Sequence, residues 1–167
     1  LNVPESGVAR QMCRGVRKLG TAWRFLYEVN MSGLTPNTPV PTGVVVHSRS
    51  RVLELQYANG ETYRLPFELL RVYSPSAEVM GHGPGQETLQ TGKREVTIKM
   101  IEGVGNYAIQ PTFSDGHSTG IYSWDLLHDM AVRQDELWRE YLAKLAAAGV
   151  DRDTPMTPAG AAHGHCH

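Results

Sequence analysis

A chain of 167 residues can bury one sizeable core but not two, and 16 Lys and Arg against 17 Asp and Glu leave no global field to draw it to nucleic acid or an anionic bilayer. Two cysteines, Cys13 and Cys166, near opposite ends, exclude a disulfide framework and a four-cysteine zinc site within one chain. No apolar run approaches the roughly 20 residues that span a bilayer, and the N-terminus lacks the apolar core of a secretory signal, so a soluble cytoplasmic protein is expected.

Residues 1–39 read as a weakly structured extension. Val16, Leu19, Trp23, Leu26 and Tyr27 have helix-like spacing, but Gly15 and Gly20 weaken the helix they would form. Met31, followed by Ser32, Gly33 and a Pro/Thr/Asn-rich leader, is the expected natural start; the alternative makes the preceding residues a docking helix.

Residues 40–148 carry the domain. Residues 44–46 and 51–57 read as strands, the second with Leu53, Leu55 and Tyr57 on one face and Glu54 and Gln56 on the other. Asn59-Gly60 predicts a two-residue turn with both residues left-handed, and residues 62–65 return as a third strand. A short helix fits residues 66–72, with Pro66 at an early helical position where its missing N–H costs nothing. Residues 74–92, with Gly81, Gly83, Gly85 and Gly92, predict a long loop; its Gly-His-Gly-Pro-Gly run lacks the Lys-Ser/Thr ending and the preceding strand of a phosphate loop. Strands are expected over 95–101 and 107–113. Ser123 is a candidate N-cap for one helix from Trp124 to about Ala147, about 35 Å long at 1.5 Å per residue, with Gly149 ending it. Residues 149–167 are Pro/Ala/Gly-rich and read as a disordered tail. The sum is α+β: a small antiparallel β-sheet with a short helix and one long C-terminal helix packed on it.

The densest polar cluster is the run from Asp115 to Trp124. His117, with Asp115 before it and Tyr122 after it, could act as a ligand or an acid/base group in a pocket with Tyr73, Ser74 and His82. Turn chemistry alone also explains Asp115-Gly116, with His117 bonded to backbone. His82, among glycines, reads as solvated unless it converges with His117 and a carboxylate on a metal. The tail places His163, His165, Cys166 and His167 within five residues, enough for a flexible chelate. Arg49, Arg51, Arg64 and Arg71 interleave with Glu54, Glu61 and Glu68, which predicts a mixed solvated face rather than a nucleic-acid surface. Ser74, Ser118 and Ser123 lack the glycine elbow of a serine nucleophile.

Three runs carry a family resemblance: Pro-Phe-Glu-Leu-Leu-Arg-Val-Tyr-Ser-Pro-Ser at 66–76, Val-Gly-Asn-Tyr-Ala-Ile at 104–109, and Asp-Gly-His-Ser-Thr-Gly-Ile-Tyr-Ser-Trp-Asp-Leu at 115–126. Together they resemble the gamma-butyrobetaine hydroxylase-like N-terminal domain in its stand-alone bacterial form, over about residues 42–145. In the hydroxylases this module precedes an iron and 2-oxoglutarate oxygenase domain and holds a structural zinc through three cysteines and a histidine. The resemblance puts the cysteine positions on Ser74, Ser76 and Val79 and the histidine on His117, so the inherited zinc site is expected to be empty. No residues downstream supply the two histidines and carboxylate of a non-haem iron site, so hydroxylase activity is not expected to transfer.

The leading expectation is a non-catalytic binding or adaptor module with no cofactor and another protein as its partner. The alternative is a metal-binding protein, holding iron or zinc through His117 with His82 or the tail. A third class, a small enzyme built around Asp115, His117 and Tyr122, has no substrate signal.

Overall fold

The computed structural model describes residues 37–82 and 85–156. The expectations for the N-terminal helix, for Met31 and for His163, His165, Cys166 and His167 fall outside the described residues.

The fold is α+β, with two three-stranded antiparallel sheets where the sequence suggested one. The first sheet holds β1 (Gly43–His47), β2 (Val52–Gln56) and β3 (Thr62–Pro66), in the order β1-β2-β3. Alternation along the strands buries Leu53, Leu55 and Leu65 in the core and turns Glu54 to the other face. There Arg64 Nε donates to Glu54 Oε2 at 3.0 Å, with His47 Nε2 3.1 Å from the same oxygen. Arg64 is exposed as the charge pattern predicts, but Glu54 is buried, so this part of the face is not fully solvated.

The β2–β3 turn differs from the two-residue form. Only Gly60 is left-handed, at φ 87°. Gly60 N–H donates to Tyr57 O at 3.0 Å, Tyr57 N–H donates to Glu61 O at 2.9 Å, and Asn59 Oδ1 accepts from Glu61 N–H at 3.0 Å. The Asn side chain closes the turn by hydrogen bonding instead of by adopting a positive φ itself, leaving one left-handed position for the glycine.

Helix α1 (Phe67–Val72) follows β3 directly, with Pro66 as its N-cap rather than inside it. The segment read as a loop contains a short helix, α2 (Ala77–Met80). The second sheet is β4 (Ile98–Val104), β5 (Ala108–Phe113) and β6 (Tyr122–Ser123), in that order. Ser123 caps the next helix, its hydroxyl accepting from Leu126 N–H at 3.3 Å.

The expected single C-terminal helix is two: α3 (Trp124–Val132) and α4 (Gln134–Ala148), divided at Arg133 with φ −99° and ψ 17°. The apolar positions keep one helical phase across Arg133, which is why the sequence reads as one helix. The two pieces have different tertiary contacts. Tyr57, Tyr63 and His128 meet edge-to-face with centroids 5.6 to 5.8 Å apart, tying α3 to the first sheet. α4 is held elsewhere, by Tyr73 and Tyr141. Gly149 ends it in the left-handed region, as expected.

Three buried tyrosines join the layers, each donating its hydroxyl to a main-chain carbonyl on a different element. Tyr73 reaches Leu137 O at 2.8 Å, Tyr141 reaches Gln90 O at 3.0 Å, and Tyr122 reaches Leu70 O at 2.6 Å. Burial raises all three phenols, Tyr141 to about 12, so each is a fixed donor. Beyond α4 the chain folds back: Arg152 forks onto the buried Glu68 of α1, its Nε 2.9 Å from Oε1, and lies 4.7 Å over the Trp138 ring. Glu68 is therefore an internal anchor and not part of a solvated face. Tyr122→Phe leaves the Leu70 carbonyl without its donor and is expected to cost about 1–3 kcal/mol, read as a lower urea midpoint with unchanged slope.

Candidate functional site

The polar residues singled out by sequence meet where the end of α1, the start of α2 and the β5–β6 connection come together. Two turns build this corner. After α1, Tyr73 (φ −100°, ψ 30°) takes the chain out of the helix, and Ser76 becomes the N-cap residue of α2. After β5, the Phe113–His117 turn repeats the β2–β3 design. Gly116 (φ 88°) donates to Phe113 O at 3.1 Å, Phe113 N–H donates to His117 O at 2.8 Å, and Asp115 Oδ1 accepts from His117 N–H at 3.3 Å.

That turn leaves the other carboxylate oxygen of Asp115 facing inward. Oδ2 accepts from Arg71 Nε at 2.9 Å and from Lys93 Nζ at 2.7 Å, and Arg71 Nη1 continues to Gln90 Oε1 at 3.2 Å. Burial works to raise the Asp115 carboxyl, but Lys93, Arg71 and the His117 N–H outweigh it and hold it below the usual carboxylate range. The expectation that Arg71 sits on a solvated face fails, because its side chain is only 8% exposed.

His117 lies inside the corner. Its Nε2 is 2.8 Å from Ser74 Oγ and its Nδ1 is 3.0 Å from Glu78 Oε2. Burial is the main cause that lowers its pKa, followed by the Arg71 cation, with Glu78 and Asp115 opposing. The imidazole is therefore neutral at pH 7, with Nδ1–H donating to Glu78 and Nε2 accepting from the Ser74 hydroxyl. The order Ser, His, Glu has the distances of an acyl-transfer triad, but the nucleophile position is sealed. Ser74 is fully buried, and a Cβ on Gly120 would stand 2.4 Å from Ser74 Oγ, so the Gly120 backbone covers the hydroxyl. The Tyr122 ring lines the same spot, where a Cβ on Gly120 would stand 3.0 Å from its Cε2.

Of the residues predicted to share a pocket, Ser74, Asp115, His117 and Tyr122 come together. Tyr73 does not: its hydroxyl turns to α4 and its ring lines a separate groove of about 400 Å³ with Val72, Leu89, Tyr141 and Lys144. His82 is exposed, its N–H bonding the Gln86 side chain at 3.3 Å, with no contact to His117 among the described residues. Sequence reasoning missed Glu78, Lys93 and Gln90, which carry no local signal, since each acts across tens of residues. Among the described residues no group of three or more His, Cys, Asp or Glu could hold a metal ion, and no helix is long and apolar enough to cross a membrane.

Two small sheets joined through a closed polar corner define a compact α+β module without an open cleft at its polar centre. The chain belongs to the gamma-butyrobetaine hydroxylase-like N-terminal family, which matches residues 44–128. Two NMR solution structures are similar to it. One is 43% identical and covers 73% of this chain and 96% of its own; the other is 49% identical and covers 76% and 96%; both have a TM-score of 0.62. A crystal structure of a protein of unknown function of the DUF971 family, from Acidithiobacillus ferrooxidans ATCC 23270, is 39% identical over 55% of this chain and 92% of its own, with a TM-score of 0.47. No curated protein matches the chain.

Two predictions follow from the corner. Asp115→Ala strands the buried Arg71 cation and is expected to cost roughly 3 kcal/mol in urea unfolding, the low end for a buried pair because Asp115 keeps some solvent. His117 has a folded pKa below its unfolded value near about 6.5, so its stabilisation is present above that pH and is lost as pH falls through the folded pKa. Urea midpoints measured between pH 7.5 and 5 should therefore fall more steeply for the native chain than for His117→Gln.

Proposed function

We propose that this protein is a non-catalytic binding module that accepts an extended segment of a partner protein along the free edge of β1. The observation that carries this reading is the contrast between the sheet edges. Among the described residues no strand pairs with the outer side of β1, whose Val44, Val45 and Val46 include two side chains more than a third exposed. Its pairing with β2 runs without a register shift, and it contains no Pro, Lys, Arg, Asp or Glu. Exposed edges are normally blunted by such residues or by bulges, because a bare row of N–H and C=O groups templates further strands.

The other edges are blunted. β4 has a register shift between Ile98 and Met100 and carries Lys99 and Glu102. β3 ends on Pro66 and passes at once into α1, and β6 is two residues long. A five-residue edge spans about 17 Å, enough for main-chain bonds to one extended segment with apolar side chains at alternate positions. The sealed corner at His117 supports the non-catalytic half of the reading, since Ser74 is out of reach of a substrate.

A photo-crosslinking residue placed at Val45, compared with the same residue at Lys99 on the blunted edge, tests the proposal in cells. A discrete adduct from position 45 and none from position 99 is the expected result. Equal labelling from both positions, or none from either, would sink it.

A further inference from the structure

The zinc implied by the family does not fit the residues at the corresponding positions. Ser74 and Ser76 offer neutral hydroxyls, Val79 offers no donor, and the one imidazole, His117, already has both ring nitrogens engaged. The two serines stand in different states. Ser74 Oγ is bonded to His117, whereas Ser76 Oγ is buried with no hydrogen-bond partner and, although Ser76 is the N-cap residue of α2, makes no cap bond. A buried hydroxyl without a partner is a net cost, which marks Ser76 as a position whose polar atom has no task.

We infer that in this chain a hydrogen-bonded series of three side chains, Ser74, His117 and Glu78, stands in for a metal as the joint between the α1–α2 corner and the β5–β6 turn, with Glu78 the added member. The joint ties two distant pieces of chain. Ser74 follows α1 and Glu78 lies four residues on, in the first turn of α2, while His117 ends the turn after β5, at sequence separations of 43 and 39 residues. A tetrahedral metal would tie such pieces by bonds to each; here the imidazole ties them, using one nitrogen for each partner. Glu78 is mostly solvent-exposed while His117 is buried, so the series runs from the interior at Ser74 to the surface at the Glu78 carboxylate. Glu78 is a positioning residue, setting the tautomer that lets Nε2 accept from Ser74. The inference is independent of the β1 reading.

Melting temperatures of the full untagged chain test it. The native chain should melt at the same temperature with and without a strong chelator or added zinc. Ser74→Ala should lower the melting temperature by about 3–6 °C, the effect of about one lost buried hydrogen bond in a domain of about 100 residues or somewhat more, and Glu78→Ala by a smaller but measurable amount because its carboxylate is mostly in solvent. Glu78→Gln, which keeps an acceptor on an exposed side chain, should recover most of that loss. Ser76→Ala should melt at the native temperature or above it, since it removes a cost. The triple variant Ser74→Cys, Ser76→Cys, Val79→Cys should take up one zinc per chain more than the native chain, whose His163, His165, Cys166 and His167 are the same in both. A chelator-sensitive native chain, an unaffected Glu78→Ala, a Ser76→Ala as damaged as Ser74→Ala, or a triple variant that takes up no more zinc than the native chain would each overturn the inference.

Discussion

The carboxylate of Asp115 is the constraint on which the corner depends. It receives Arg71 from α1, Lys93 from the segment before β4 and the main-chain N–H of His117, three donors from three parts of the chain. Arg71 can remain nearly buried only because this carboxylate meets it, with Gln90 taking a further N–H. The carboxylate can do so only because Gly116 supplies the left-handed residue that turns the chain back from β5. Electrostatics and turn geometry are therefore one requirement, and the position of His117 is its result.

Around that anchor buried side chains bond main-chain carbonyls on other elements. Tyr122 takes the carbonyl of Leu70 near the end of α1, Tyr141 that of Gln90 in the connecting segment, and Tyr73 adds a bond to the carbonyl of Leu137 near the start of α4. Each ring fills the core while its hydroxyl has a fixed polar partner. This explains how a small domain with short helices and two three-stranded sheets forms a single core: the joints between elements are buried phenol to carbonyl bonds and the Glu68–Arg152 fork, added to apolar packing.

Membership of the gamma-butyrobetaine hydroxylase-like N-terminal family sets this corner in context. The two NMR structures have 96% of their own length covered by this chain. A module of this kind has two surfaces of interest that differ in kind. The corner is inward, with its reactive types hydrogen-bonded to one another; β1 is an edge strand, with no strand on its outer side among the described residues.

Much of the scaffold was legible in the residues themselves. Alternation marked β2 because side chains on a strand point to opposite faces in turn, while Asx-Gly marked both turns, Ser123 the start of α3 and Gly149 the end of α4, because each of these rests on bonds made within four or five residues. The same locality set the errors. One apolar phase through Arg133 could not show that α3 and α4 pack on different elements, and Asn59 gave no sign that it would close its turn through its side chain. Arg71 and Glu68 looked like surface charges until partners 44 and 84 residues away buried them. The sequence by itself determined the α+β class, the positions of the main strands and of the two turns, and the absence of thiolates at 74, 76 and 79. Only the tertiary structure decided which of the remaining polar atoms found partners, since hydrogen bonding at a buried site depends on what the distant chain brings within about 3 Å.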